Sequence, residues 1–235
     1  MKISSALFLF IALLAVGCSE HIVNPISKPL DTSVISPLVT GDEWIYEVTL
    51  LDSAGVQVEY LQDTVRVGLS ADLQGETWYL VSHHNKNINN DPTFSFFFAN
   101  RKDGYYFFDE GKQKPSLSFK YPALAGTIYN DRVDTLFGSG RNFQGSHSYT
   151  KVISSDEIIT IGSSTYQCYH YQSFEYFFEN GSDTVNHKPI TDNYFTPGIG
   201  QIKSIMRFEE SFNPKTGVTI KNGSEITTLK SYTLK

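Results

Sequence analysis

The stretch FSFFFANRKDGYYFFDE, from Phe94 to Glu110, decides the fold class. Two runs rich in aromatic residues flank the short polar segment Lys102 to Gly104, and Asp-Gly is a strong signal for a hairpin turn. Large aromatic side chains suit the pleated surface of a sheet. The stretch therefore predicts two antiparallel strands joined by a tight turn.

The same pattern recurs from Gly41 to the C-terminus. Strand-like segments begin with EWIYEVTLL at Glu43, are separated by short turns containing Asp, Asn and Gly, and end in a hairpin around Asn222-Gly223. No segment shows a sustained apolar stripe of helical period, and Pro122 interrupts the best helix candidate, residues 115–126. The sequence predicts an all-β fold with little helix, built either as an antiparallel open half-barrel or as a two-layer sheet.

The two halves of this region resemble each other weakly. GDEWIYEV at Gly41 aligns with GTIYNDRV at Gly126, and GETWYLV at Gly75 aligns with GSSTYQCYHY at Gly162. The offset between the halves drifts along the chain, which excludes a strict solenoid repeat. Two degenerate repeats account for the pattern, and so does the general likeness of any two tyrosine-rich β segments.

The first 17 residues have the layout of a secretory signal. Lys2 supplies positive charge, Ile3 to Val16 is mostly apolar, and small residues precede Cys18. The apolar stretch is shorter than the roughly 20 residues that a transmembrane helix needs. We therefore expect a signal peptide over residues 1–17, a proline-containing tether over residues 18–40 and a single β domain over residues 41–235.

The segment Ala15-Val16-Gly17-Cys18 resembles the lipobox of bacterial lipoproteins. The resemblance implies that Cys18 receives a diacylglyceryl group, that the signal is cleaved before it, and that the new amine is acylated. Several acyl chains anchor a protein stably where a single chain does not. By the same resemblance the protein belongs to the cell envelope, is held to the membrane by its N-terminal lipid, and is directed to the outer membrane by Ser19. An ordinary signal peptide followed by a chance cysteine is the alternative.

A second resemblance covers roughly residues 150–210. Pro197 to Lys203 matches the motif Pro-Gly-x-Gly-x-Ile-Lys of secreted, β-rich bacterial lipoproteins that have no agreed function. These domains are similar to the half-barrel carriers of lipoprotein localisation, which hold acyl chains in a concave apolar groove. From the residues themselves, Pro197 with Gly198 and Gly200 predicts a strand kinked at this point.

Charge and glycine pattern disfavour several classes of partner. The chain has 19 Lys and Arg against 25 Asp and Glu, a formal net charge of −6, and no run of basic residues. No nucleic-acid surface and no cationic patch for membranes is therefore expected. Gly198-x-Gly200 lacks the further glycine and the helix of a dinucleotide-binding loop, so no cofactor is expected.

Candidates for catalysis and metal binding are sparse. Cys168 and His170 would share one face of a strand, but zinc normally needs three or four ligands. With Cys18 modified, Cys168 has no partner for an internal disulfide. No nucleophile-elbow motif occurs, and adjacent acidic pairs such as Asp109-Glu110 would point to opposite faces of a strand. We therefore expect no catalytic residue and no metal, and the ligand-binding residues stay unassigned.

Three functions are compatible with these expectations. The first is a non-enzymatic envelope lipoprotein that binds a lipid or another apolar small molecule in a concave sheet. The second is a structural or assembly lipoprotein that docks a protein partner through an aromatic face, and the third is a carboxylate-dependent hydrolase. A continuous apolar groove would favour the binding protein. An exposed aromatic patch over a filled interior would favour the docking protein, and two carboxylates converging in a cleft would favour the hydrolase.

Overall fold

A computed structural model describes residues 30–85, 94–135, 145–178, 189–213 and 218–235. The predicted signal peptide, Cys18 and the tether up to residue 29 lie outside these ranges. The described part of the chain has no helix with the length and apolar character needed to cross a bilayer.

Twelve strands make up the fold. The first six are β1 (Glu43–Leu51), β2 (Gln57–Leu73), β3 (Glu76–Asn85), β4 (Phe94–Arg101), β5 (Gly104–Asp109) and β6 (Lys114–Lys120). The second six are β7 (Ile128–Thr135), β8 (Gly145–Ile161), β9 (Ser164–Phe178), β10 (Pro189–Thr196), β11 (Gly200–Asn213) and β12 (Val218–Thr233). The predicted hairpin of Phe94 to Glu110 is thus β4 and β5, and residues 115–120 of the helix candidate belong to strand β6. The prediction of a turn at Asn222-Gly223 is wrong, because both residues lie inside β12, where the ladder with β11 accommodates the positive φ of Asn222.

All twelve strands belong to one antiparallel sheet. Its order is β6-β5-β4-β3-β2-β1-β12-β11-β10-β9-β8-β7, so that two six-stranded meanders meet where β1 pairs with β12. The edge strands β6 and β7 approach each other. The Tyr129 hydroxyl donates to the Ser118 carbonyl at 3.3 Å, and Asn130 Nδ2 donates to the Leu117 carbonyl at 2.8 Å. The all-β half-barrel is therefore confirmed, and the described residues form no second sheet.

The two meanders repeat one local arrangement. The amide of Gly41 donates to the Val67 carbonyl at 2.9 Å, and the amide of Gly126 donates to the Val152 carbonyl at 2.7 Å. The two glycines are the same number of residues apart as the two valines. Both glycines have a positive φ, 95° for Gly41 and 87° for Gly126. Both valines are buried in the main core. This equivalence supports the interpretation of the halves as two degenerate repeats.

Alternation along the strands determines which side chains reach the core. In β1 the buried residues are Trp44, Tyr46 and Val48, which occupy every second position. Glu43 and Glu47 alternate with them and point to the other face. Trp44 and Tyr46 belong to the main core cluster on the inner, concave face of the sheet. The period of two that predicts a strand from the sequence thus also orients it in the half-barrel.

The outer face of the first meander carries a small apolar cluster of its own. Trp78 is fully buried there and packs with Ala99 and Phe108. The Arg101 guanidinium lies 5.7 Å from the Trp78 ring centroid and 4.6 Å from that of Tyr106. Aromatic residues on both faces of a strand therefore need no second sheet here, because an arginine and neighbouring side chains cover the outer ones.

Residues 30–40, the described part of the predicted tether, pack against the inner face of the sheet. Ile35 is fully buried and Leu38 is 8% exposed, and both belong to the main core cluster. The Val34 carbonyl accepts from the Gly198 amide at 2.9 Å, and the Ser36 carbonyl accepts from Asn100 Nδ2 at 2.8 Å. Burying a side chain such as Ile35 contributes about 2 kcal/mol, which offsets the entropy cost of ordering this segment. The folded unit therefore includes these residues and begins before Gly41.

The Pro-Gly motif forms a turn between two strands and not a kink within one. β10 ends at Thr196, β11 begins at Gly200, and these two residues pair. The Ile199 amide donates to the Thr196 carbonyl at 3.0 Å, and Gly198 has a φ of 79°. Proline followed by glycine at these positions is typical of a type II turn. The prediction of a kinked strand is therefore wrong, because Pro197-Gly198 reverses the chain.

Gly200→Val should lower the free energy of unfolding by about 3 kcal/mol, measured by urea denaturation. Gly200 has a φ of 108°, and a Cβ atom there would lie 3.0 Å from Ser36 Oγ and 3.5 Å from Trp44 Nε1. Gly55→Val is the matched control, because Gly55 has a φ of 77° and no atom within 4 Å of such a Cβ. Equal losses in the two variants would show that close packing at Gly200 is unimportant.

Candidate ligand-binding cavity

A cavity of about 320 Å³ lies between the inner face of the sheet and residues 30–40. Ser36 and Leu38 line it from the N-terminal segment, and side chains from both meanders form the remaining walls. Its apolar lining includes Trp44, Val48, Val65, Val81, Phe98 and Phe195. Protein interiors are normally closely packed, and ligand sites start at roughly 300 Å³, so this cavity is a candidate binding site.

The apolar walls are made by buried aromatic residues whose polar atoms have partners elsewhere. Trp44 Nε1 donates to the Ile199 carbonyl at 2.6 Å, and the Tyr46 hydroxyl donates to the Gln201 carbonyl at 3.1 Å. Burial raises the pKa of the Tyr46 and Tyr105 phenols above the usual range, so both are neutral. Their rings therefore present uncharged surface to the cavity.

The polar lining combines two carboxylates and a histidine. Asp63 lies on β2, His83 on β3 and Glu225 on β12, and His83 Nδ1 is 2.9 Å from Asp63 Oδ2. Burial raises the pKa of Glu225, and the charge of Asp63 raises it further. No lysine or arginine is among the described residues that line the cavity. This lining is therefore acidic.

The polar residues lie where the cavity approaches solvent. The His83 side chain is 43% exposed and that of Asp63 is 20% exposed, whereas Trp44 is only 3% exposed. On β4, Phe94 pairs with His83 and Phe96 pairs with Val81, and directly paired residues share a face of the sheet. Phe94 and Phe96 are exposed. The cavity thus has a closed apolar end and a mouth that combines acidic groups with an aromatic rim.

Cys168 and His170 do not form a metal site. Cys168 Sγ lies 3.3 Å from Thr196 Oγ1, and burial raises the pKa of this thiol. The two ring nitrogens of His170 each lie 2.7 Å from a carboxylate oxygen, of Glu157 and of Asp192, so neither nitrogen is left for a metal. Within the described ranges, no group of three or more His, Cys, Asp or Glu is placed to hold an ion.

Asp192 is the centre of a polar network that includes His170. It is 3% exposed and accepts from Gln172 Nε2 at 2.8 Å and from Arg207 Nη1 at 2.6 Å. Burial acts to raise its pKa, but hydrogen bonds from Gln172, His170 and Arg207 outweigh burial and lower it. His170 points away from the inner face, because its neighbour Tyr171 packs there against Phe195. The network therefore stabilises the outer side of the second meander and does not reach the cavity.

Sequence patterns did not identify the polar residues of the cavity. None of the adjacent acidic pairs lines it, and Cys18 lies outside the described residues. One signal was available: Asp63 precedes Val65 and Val67 at alternate positions of a strand, which places a carboxylate on an apolar face. Glu225 gives a similar but weaker signal, because it alternates with Thr227 and Leu229.

No family model matches the sequence, and no curated protein matches it. The chain is similar to a lipoprotein from Parabacteroides distasonis at 12% identity, over 85% of this chain and 98% of that chain, with a TM-score of 0.46. It is similar to an exported protein with a YmcC-like fold from Bacteroides fragilis at 10% identity, over 85% and 98% of the two chains, with a TM-score of 0.42. It is also similar to a LolA superfamily protein from Nitrosomonas europaea at 7% identity, over 87% of this chain and 90% of that chain, with a TM-score of 0.25.

Asp192→Asn should lower the free energy of unfolding by about 2 kcal/mol at pH 7. Because the folded-state pKa lies below the ordinary value of 3.8, the stabilisation by Asp192 is complete above that value and is lost as the pH falls through the folded pKa. Urea midpoints at pH 7, 5 and 3 should therefore show a gap between the parent and the variant that narrows only at pH 3. Glu175→Gln, on an exposed residue of β9, is the control. A gap of constant size would contradict the assignment.

Proposed function

We propose that the protein is a non-enzymatic lipoprotein of the cell envelope that binds a lipid or another apolar small molecule in its cavity. The observation that carries the proposal is the cavity of about 320 Å³ inside the main core, with apolar walls and a mouth at solvent. Ligand sites are typically concave and mostly apolar, with a few polar groups that orient the ligand. The arrangement around Trp44, Phe98 and Asp63 has these features.

The size of the cavity limits the class of ligand. Its volume of about 320 Å³ lies at the lower end of the range for small-molecule sites. Because Ser36 and Leu38 form part of the wall, residues 30–40 determine this volume. The site is thus suited to a molecule with one apolar chain, and several acyl chains would require residues 30–40 to move away.

A docking role through an aromatic face is less well supported. Phe94 and Phe96 are 60% and 49% exposed, but they lie on the face of the sheet that lines the cavity, next to His83 and Val81. A cavity beneath the aromatic rim is the arrangement expected of a binding protein.

A carboxylate-dependent hydrolase is the second candidate function. Asp63 and Glu225 line one cavity, and the raised pKa of Glu225 beside Asp63 resembles the acid and base pair of such enzymes. The two functions are separable, because a binding protein returns its ligand unchanged on extraction whereas a hydrolase converts it.

The cavity should carry an extractable molecule. We expect residues 19–235, which retain every described residue, to show an added mass by native mass spectrometry after secretion and purification without detergent. Thr227→Phe should remove most of this mass, because Thr227 lines the cavity and a phenyl group would fill it. Thr228→Phe is the matched control, because the adjacent residue points to the other face.

A parent protein that carries no such mass and binds no single-chain amphiphile would contradict the proposal. Equal occupancy in Thr227→Phe and in the parent would place any ligand outside the cavity.

The lipid anchor gives a separate expectation for the N-terminus. Cys18→Ala should abolish the incorporation of labelled fatty acid in cells and release the protein from the lipoprotein fraction of the envelope. Cys168→Ala should keep the label, since Cys168 is buried in the β domain. Persistent labelling of Cys18→Ala would contradict lipidation at this residue, and loss of label in both variants would point to a defect in folding.

A further inference from the structure

We infer that the ligand of the cavity is a cationic amphiphile, a single apolar chain that ends in an amine attracted by the charges of Asp63 and Glu225. This inference rests on the proposed binding function and narrows its ligand class.

The first support is the charge of the lining. Two carboxylates, Asp63 and Glu225, face the cavity, and the described lining residues include no lysine or arginine. His83 lies 2.9 Å from Asp63 and is the one basic side chain among the described lining residues. No hydrogen bond or ion pair joins His83 to Glu225 among the described residues. A partly buried carboxylate without a cation is unfavourable, and a ligand ammonium would supply the missing charge.

The second support is the direction of the polarity. The closed end is apolar, with Trp44 at 3% and Phe195 at 5% exposed, and Asp63 lies at the mouth beside His83. An amphiphile therefore enters with its chain first and leaves its head at the carboxylates. A carboxylate or phosphate head at the same position would add a like charge, which opposes binding.

The third support is the aromatic ring next to the acidic groups. Tyr46 pairs directly with Asp63 across β1 and β2, and both side chains line the cavity. The Tyr46 hydroxyl donates to the Gln201 carbonyl, which fixes the position of the ring in the cavity wall. The face of an aromatic ring attracts a cation, which adds to the attraction by the carboxylates. The shift in the pKa of Glu225 caused by burial and by Asp63 agrees with an acidic site that lacks a cation.

The test compares three probes of equal chain length: dodecylamine, dodecanol and dodecanoate. Their dissociation constants for residues 19–235 would be measured by isothermal titration calorimetry at neutral pH, below the micelle concentration of each probe. We expect the amine to bind roughly tenfold more tightly than the alcohol, and the carboxylate to bind most weakly.

Substitutions then assign the preference to the acidic groups. Glu225→Gln and Asp63→Asn should each reduce the ratio of amine to alcohol affinity at least about threefold. Glu209→Gln, on an exposed residue of β11, should leave the ratio unchanged. Because the ratio is taken within each variant, a general loss of stability cancels.

The failures of the two proposals are distinguishable. Equal affinities for the three probes, a preference for dodecanoate, or a ratio that Glu225→Gln and Asp63→Asn leave unchanged would overturn the cationic ligand and keep the apolar binding function. Absence of binding by all three probes would overturn the binding function itself.

Discussion

The pairing of β1 with β12 is the constraint on which the rest of the structure depends. It runs from Glu43 against Thr233 to Leu51 against Ser224, and it is the sole ladder between the two described meanders. Without it each meander would have a further open edge and one uncovered apolar face. The pairing also places Trp44 and Tyr46 at the centre of the sheet, where they hydrogen-bond to the turn and the start of β11 in the second meander.

The curvature that brings β6 close to β7 leaves space that the side chains of the sheet do not fill. Residues 30–40 occupy part of that space through Ile35 and Leu38, and the remainder is the cavity. The segment therefore has two roles, since it completes the core and determines the volume available to a ligand. The Asp192 network contributes on the outer face, where it fastens β9, β10 and β11 to one another through charged hydrogen bonds.

Sequence patterns predicted the local structure better than the long-range arrangement. The Asp-Gly turn after Lys102 is governed by a few adjacent residues, so the strands around it were predictable. Asn222-Gly223 carries a similar local signal but lies within β12, because pairing with β11 continues on both sides of it. Pro197-Gly198 was misinterpreted as a kink, although proline before glycine also indicates a type II turn. The predicted tether included residues 30–40, which belong to the folded unit. Isolated apolar residues near prolines, such as Ile35 and Leu38, show neither the period of two of a strand nor the period of 3.6 of a helix, so the sequence does not indicate that they are buried.

The sequence by itself determined the all-β class and the Asp-Gly turn between β4 and β5, because both depend on residues that are close together in the chain. Only the tertiary structure decided the half-barrel in place of a two-layer sheet, the packing of residues 30–40 and the composition of the cavity. Asp63 and Glu225 are far apart in sequence and come to one site because β2 and β12 both pair with β1. Burial and the charge of Asp63 then raise the pKa of Glu225, an effect that depends on bringing the two strands together.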